Sequence, residues 1–274
     1  MTPPSSLLRT RAVLEQPALA DAVSLLRALI AAMRELDMPL RSGVPHPPAV
    51  DSRLANGLPA LTGEPLIDGS ALLAAVVRLA TMLPNPSAGI VAEALATHRS
   101  AIDLDELAGA ALAGDWEAIA ALASRLDLDE HMLRATLDYA TRPALRRGAM
   151  AVAEELARYP RETGRCPACG SPPLLAELRG PDAERVLRCG RCSFAWPFPR
   201  VACTGCGERD HRQLGYLHAG DEEEFRRAEC CESCKCYLKS IAVLTPLSSD
   251  LLLETDLATT ALDIVAGDRG YRHV

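Results

Sequence analysis

Residues 165–192 read RCPACGSPPLLAELRGPDAERVLRCGRC. Two C-x-x-C pairs, Cys166/Cys169 and Cys189/Cys192, bracket two short runs of strand character, LLAEL and ERVLRC, with Gly180 and Pro181 between them. Two intervening residues let the backbone turn so that both thiolates of a pair point at one ion. A hairpin between two such turns brings all four sulfurs together. The pattern recurs downstream as Cys203/Cys206 and Cys231/Cys234. There are 19 residues between Cys169 and Cys189, and 24 between Cys206 and Cys231. One C-x-x-C is weak; four in this order predict two four-sulfur metal sites. Sequential pairing is favoured because each intervening segment suits a hairpin. Cross-braced pairing, first with third and second with fourth, is the alternative.

The last turn, AECCESCKCYLK at residues 228–239, holds four cysteines. The register of the other pairs selects Cys231 and Cys234 and leaves Cys230 and Cys236 over. Gly170 and Gly207 directly follow two pairs, where a positive φ helps close the turn. Arg165, Arg188, Arg191, Arg200 and Lys235 adjoin the cysteines and are read either as compensation for thiolate charge or as ordinary surface charges. His211 and His218 lie between the second site's pairs, and surface positions suit them better than ligation. Trp196 is expected to pack between the two ribbons. Isolated redox dithiols fit four regularly placed pairs less well than metal does.

All ten cysteines of the 274-residue chain fall between Cys166 and Cys236. A disulfide framework belongs to small secreted domains. This chain is large and 49% hydrophobic, and its opening residues lack the apolar run of a signal peptide, so a cytoplasmic protein with reduced thiols is expected. No segment approaches a membrane span. The net charge of −7 disfavours a general nucleic-acid or membrane-surface binder. No Rossmann glycine fingerprint, P-loop, H-E-x-x-H or G-x-S-x-G is present.

Before the cysteines the pattern is helical. Leu19, Val23, Leu26, Ile30 and Met33 form one apolar stripe. Residues 38–69 are proline-rich and read as a long irregular connection. SALLAAVVRLATML follows with Ser70 as cap, then helices around 90–97 and 105–113, the latter ended by Gly114. Trp116, Ile119, Leu122 and Leu126 mark another helix. Asp127 and Asp129 are caps for one containing Leu133 and Leu137. Residues 143–159 read as a separate longer helix with Met150, Val152, Ala153 and Leu156 inward. After the cysteines one helix is expected from Ser248 or Ser249 to Gly267. Its Asp250, Asp256 and Asp263 are read as a solvated face, with a face for a client as the alternative. Asp221–Glu224 is expected to form a hairpin turn.

The fold class is therefore α+β: a helical domain at 1–160, a first module at 161–200, a second at 201–245, and a C-terminal helix at 246–274. The order CPACGS, LRCGRCSFAW, RVACTGC, CESCKCYLK and DLATTALDIVAGDRGY resembles the FdhE family, accessory proteins for maturation of respiratory formate dehydrogenase. GLPALTGEPLI at residues 57–67 extends the resemblance more weakly into the helical part. The resemblance implies two rubredoxin-like modules with iron or zinc at Cys166, Cys169, Cys189 and Cys192 and at Cys203, Cys206, Cys231 and Cys234. It implies a cytoplasmic chaperone-like factor that binds the catalytic subunit of formate dehydrogenase before export and is not an enzyme. Ser171, Trp196, Arg200, Tyr216, Tyr237, Leu238 and Lys239 match the family's pattern; Cys230 and Cys236 depart from it. A homo-oligomer is left open.

Two alternatives come from other classes. A rubredoxin-type electron-transfer protein would use the same iron sites. A zinc-ribbon nucleic-acid binder would need a basic surface, and residues 161–239 hold thirteen Arg or Lys against twelve Asp or Glu.

Overall fold

The apolar stripe from Leu19 to Met33 repeats with the helical period, and most of the first 159 residues form helices that each bury one such face. The computed structural model describes residues 5–83, 86–159, 162–220 and 225–274. The described helices of this part are α1 (Ser5–Leu14), α2 (Ala20–Glu35), α3 (Pro47–Ala55), α4 (Gly69–Met82), α5 (Pro86–Thr97), α6 (Leu104–Ala113), α7 (Trp116–Arg125), α8 (Glu130–Ala151) and α9 (Ala153–Arg158). The chain divides into two compact units: Ser24–Tyr159 with Pro167–Gly170, and Met1–Val23 with Pro160–Cys166 and Ser171–Val274.

In the helical unit the caps are mostly aspartates. Asp68, not Ser70, caps α4: its carboxylate accepts from the Ala71 N–H at 2.8 Å, and the Ser70 hydroxyl donates to it at 2.7 Å. Ser70 already lies inside the helix, so it cannot serve the first turn. Asp103, Asp115 and Asp129 cap α6, α7 and α8 in the same way. Asp127 takes φ 54° and shapes the turn before α8 instead of capping it. Gly114 ends α6 at φ 73°, as expected.

Three expectations change. The proline-rich stretch contains α3, because Pro47 and Pro48 sit in its first turn, where the missing N–H has no partner to lose. The helices expected on either side of Pro143 are one helix, α8. An interior proline costs about 3 kcal/mol. Leu133, Leu137 and Leu145 on the same helix are at most 1% exposed and contribute roughly 1.5–3 kcal/mol each, which outweighs that cost. The break falls later, at Val152, which is 1% exposed. This turns Met150 and Ala153 outward, while Val152 and Leu156 stay inward.

α4 crosses α6 at Gly69, where a Cβ would lie 2.3 Å from the carbonyl carbon of Leu104. The Gly69 N–H donates to Asp105 Oδ1 at 2.7 Å. Gly69→Ala forces the two backbones apart, and overpacking of this kind costs about 1–3 kcal/mol. A drop in the thermal midpoint with unchanged low-temperature helicity is the expected result; an unchanged midpoint would contradict this packing.

The other unit is built on one seven-stranded sheet. Its strands are β1 (Pro173–Arg179), β2 (Glu184–Cys189), β3 (Ala195–Pro197), β4 (Leu214–Leu217), β5 (Arg226–Cys231), β6 (Cys236–Val243) and β7 (Arg272–His273). The order is β3-β2-β1-β6-β5-β4, with β7 beside β6. β1 and β2 form the expected antiparallel hairpin, and β4 pairs antiparallel with β5. β1 also pairs parallel with β6, from Ala176↔Ser240 to Arg179↔Val243, so the two cysteine-bearing halves share a single sheet. The turn expected at Asp221–Glu224 and the change of character at Pro160 lie outside the described residues.

The C-terminal helical segment is two helices, α10 (Ser249–Ala258) and α11 (Thr260–Asp268). They break at Thr259, whose hydroxyl donates back to the Thr255 carbonyl at 2.8 Å. Leu175, Ile241, Val243, Leu247 and Leu252 form one core of this unit. Leu217, Ala228, Cys230, Tyr237, Leu262 and Ala266 form another. α1 belongs here too: Leu14 and Val23 cluster with Ala258 of α10. Among the described residues, no helix is long and apolar enough to cross a membrane.

Candidate metal centres

Each C-x-x-C pair is followed by a residue of positive φ: Gly170 at 79°, Ser193 at 62°, Gly207 at 78° and Lys235 at 56°. The left-handed residue reverses the chain after the second sulfur. The cross-turn hydrogen bonds repeat as well. The N–H groups of Cys166, Cys189 and Cys203 donate to the carbonyls of Ser171, Phe194 and Glu208 at 2.8–2.9 Å. Those of Ser193, Gly207 and Lys235 donate to Cys189, Cys203 and Cys231 at 2.9–3.1 Å. Backbone N–H groups also point at sulfur, Cys192 to Cys189 Sγ at 3.4 Å and Gly205 to Cys203 Sγ at 3.3 Å. Four segments of different sequence thus adopt one turn.

The turns combine sequentially. Cys166, Cys169, Cys189 and Cys192 form one group and Cys203, Cys206, Cys231 and Cys234 the other, with the sulfurs of each within 4.8 Å of one another. The spacing identifies the chemistry the groups can accept. Four sulfurs about 2.3 Å from a tetrahedral ion stand ~3.8 Å apart, whereas a disulfide needs about 2.05 Å. Cys166 and Cys192 are 3.5 Å apart, Cys203 and Cys234 3.6 Å, and Cys206 and Cys231 3.7 Å. None of the ten cysteines is joined in a disulfide. The donor sets therefore fit a thiophilic tetrahedral ion, and they fit zinc and iron alike.

The two groups differ in exposure. All four cysteines of the first are buried; in the second, Cys206 is exposed and Cys234 half-buried. In the first turn, the carbonyls of Pro167 and Ala168 accept from the N–H groups of Ala60 and Leu61 at 2.9 and 2.8 Å. This gives the GLPALTGEPLI stretch a structural role. Gly164 makes a close backbone approach, since a Cβ there would lie 1.9 Å from the Thr204 carbonyl oxygen.

Cys230 and Cys236 stay outside both groups. Burial pushes the Cys230 thiol up to about 12, which leaves it protonated and unreactive at neutral pH. His211 and His218 join neither group. Trp196 is 2% exposed, and its indole N–H donates to the Thr163 carbonyl at 2.8 Å, consistent with a packing role.

Most of the basic residues near the cysteines have other partners. Arg188 pairs with Glu177 and donates to the Leu247 carbonyl at 2.9 Å. Arg200 donates to the Ala183 carbonyl at 2.8 Å, and Lys235 pairs with Glu232. Arg191 is buried, with a guanidinium nitrogen 3.5 Å from Ser171 Oγ; Arg165 is exposed.

Two buried charge networks flank the sheet, and neither is visible in the sequence. Glu177, 0% exposed, accepts from Arg179 at 2.7 Å, from Arg188, and from the Leu247 N–H at 3.1 Å. Lys239, 2% exposed, reaches Asp256 Oδ1 at 2.6 Å and Asp263 Oδ2 at 2.8 Å, while the Tyr237 hydroxyl donates to Asp263 at 2.8 Å. Burial and that acidic acceptor raise the Tyr237 hydroxyl well above its ordinary range. Asp256 and Asp263 are thus anchors for a buried lysine, not the solvated face expected.

The fold and the sulfur spacing define the class: a protein with two sequential four-cysteine centres on one mixed sheet, joined to a helical unit. The profile of the FdhE C-terminal domain matches residues 201–274. An FdhE homologue of Pseudomonas aeruginosa is 32% identical over 224 residues, 79% of this chain and 69% of the relative. One from Pseudomonas putida is 28% identical over 286 aligned positions, covering 99% and 86%. The crystal structure of the FdhE protein from Pseudomonas aeruginosa superposes with a TM-score of 0.68 at 28% identity, covering 99% of this chain and 95% of that one. The chain belongs to the FdhE family.

Proposed function

We propose that this protein is a non-enzymatic accessory factor that binds the catalytic subunit of formate dehydrogenase in the cytoplasm and holds it for maturation. The observation that carries the reading is the pairing of family membership with both sulfur groups at metal-binding spacing. In this reading Cys166, Cys169, Cys189 and Cys192 hold one ion, and Cys203, Cys206, Cys231 and Cys234 hold the other. Each centre is a rubredoxin-like module in which four thiolates fix a short segment that has little core of its own. The ions supply rigidity, and the chain's side chains meet the client. Iron is the expected native occupant, with zinc able to take its place.

Affinity capture tests the reading. Tagged protein is expected to retain the catalytic subunit, and a strain lacking the gene is expected to lose respiratory formate oxidation. No captured subunit together with normal oxidation would overturn it. Protein purified without oxygen is expected to show thiolate-to-iron absorption; colourless protein with two zinc per chain would refute the iron assignment.

A further inference from the structure

The second sulfur group has a neighbour that its four ligands leave unused. Cys236 opens β6 two residues after Cys234. A Cβ on Gly205 would lie 3.4 Å from Cys236 Sγ and 3.5 Å from Cys234 Sγ, so both thiols flank one point. That point belongs to the Cys203–Cys206 turn, where the Gly205 N–H already donates to Cys203 Sγ. Having no side chain, Gly205 leaves Cys236 access to the turn. The Cys236 thiol also makes a long contact of 3.7 Å to the Cys234 carbonyl.

Access from solvent is a second, separate observation. Cys206 is exposed, and Cys234 and Cys236 are half-buried. A cavity of about 200 Å³ is lined by Cys203, Cys231 and Cys236, with Arg200, His211 and Tyr216 also on its wall. A small chelator or an incoming hydrated ion can therefore approach these sulfurs. The first group offers four buried thiols and no spare one beside them in sequence.

Cys230 is not equivalent to Cys236. Adjacent residues on a strand point to opposite faces, and Cys230 and Cys231 are both in β5. The Cys230 side chain packs with Leu217, Ala228, Tyr237, Leu262 and Ala266, and its thiol donates to the Ala228 carbonyl.

We propose that Cys236 is a fifth thiol of the second site, which exchanges with Cys234 as the fourth ligand of a soft divalent cation. The site then loads and unloads stepwise while the first site keeps its ion. The exchange balances: Cys236 releases its proton as its sulfur takes the ion, and Cys234 takes one up as it leaves, with water carrying the proton. No oxidant or reductant is needed.

Zinc-loaded full-length protein tests this by zinc content and by the rate of zinc transfer to a chromophoric chelator. Cys234→Ser is expected to keep two zinc per chain and to release the second faster. Cys234→Ser with Cys236→Ser is expected to keep one, as is Cys203→Ser alone, which has no stand-in. One zinc in Cys234→Ser, or two in the double variant, would overturn the proposal. Since Cys234→Ser alters the turn itself, Cys236→Ser provides a check on the intact group. It is expected to keep two zinc and to slow release of the second. An unchanged rate would overturn the proposal, whatever the outcome of client capture.

Discussion

Cys166→Ser is expected to take the ion count from two per chain to one. Structural zinc contributes about 10–16 kcal/mol to folding of small metal-held segments. A whole domain has only about 5–15 kcal/mol of net stability. Loss of one ligand from a buried thiolate set therefore dominates its surroundings. Cys166 is 1% exposed, and its N–H also closes the turn onto the Ser171 carbonyl at 2.9 Å. The loss should stay local. β1 keeps its parallel ladder to β6, and the helices α2 to α9 bury cores of their own. Hydrogen exchange is expected to rise in residues 165–192, with far-ultraviolet circular dichroism nearly unchanged. Two ions still bound in the variant would contradict the ligand assignment.

Glu177→Ala is expected to cost about 3–5 kcal/mol, the usual penalty for removing one partner of a buried ion pair. The reason is the charge left behind. The Arg179 side chain is 24% exposed and can turn to water, but that of Arg188 is 6% exposed and cannot. The Leu247 N–H also loses its acceptor. Replacing both partners, Glu177→Leu with Arg188→Met, is expected to recover much of the loss because no buried charge is left unpaired. Denaturant midpoints read both effects. A shift below about 1 kcal/mol in Glu177→Ala would mean that the cluster is hydrated and inconsequential.

The cysteine centres were the most legible part of the sequence because their information is local. A two-residue spacing dictates a turn, and a hairpin-length separation favours sequential over cross-braced pairing of the turns. Gly170 and Gly207 announced their positive φ; Ser193 and Lys235 adopt it against their own preference and carried no such signal. The long-range features were hidden for the same reason. Asp256 and Asp263 look like a charged helix face until β6 sets Lys239 against them. Parallel pairing of β1 with β6 cannot be read from either strand, since no tight turn connects them. Pro143 misled because its local penalty is smaller than the burial on either side of it.

The N-terminal helix has a consequence for biosynthesis. Arg226 donates to the Thr10 hydroxyl at 2.7 Å across a separation of 216 residues. Ribosomes elongate at about 5–20 residues per second, so α1 waits roughly 10–40 s for its docking surface to be made. Helices α2 to α9 can fold in that interval, but the unit carrying the cysteines cannot close. The second centre, whose last ligand is Cys234, is therefore completed only after α2 to α9 have been made, whereas the ligands of the first are all in place by Cys192.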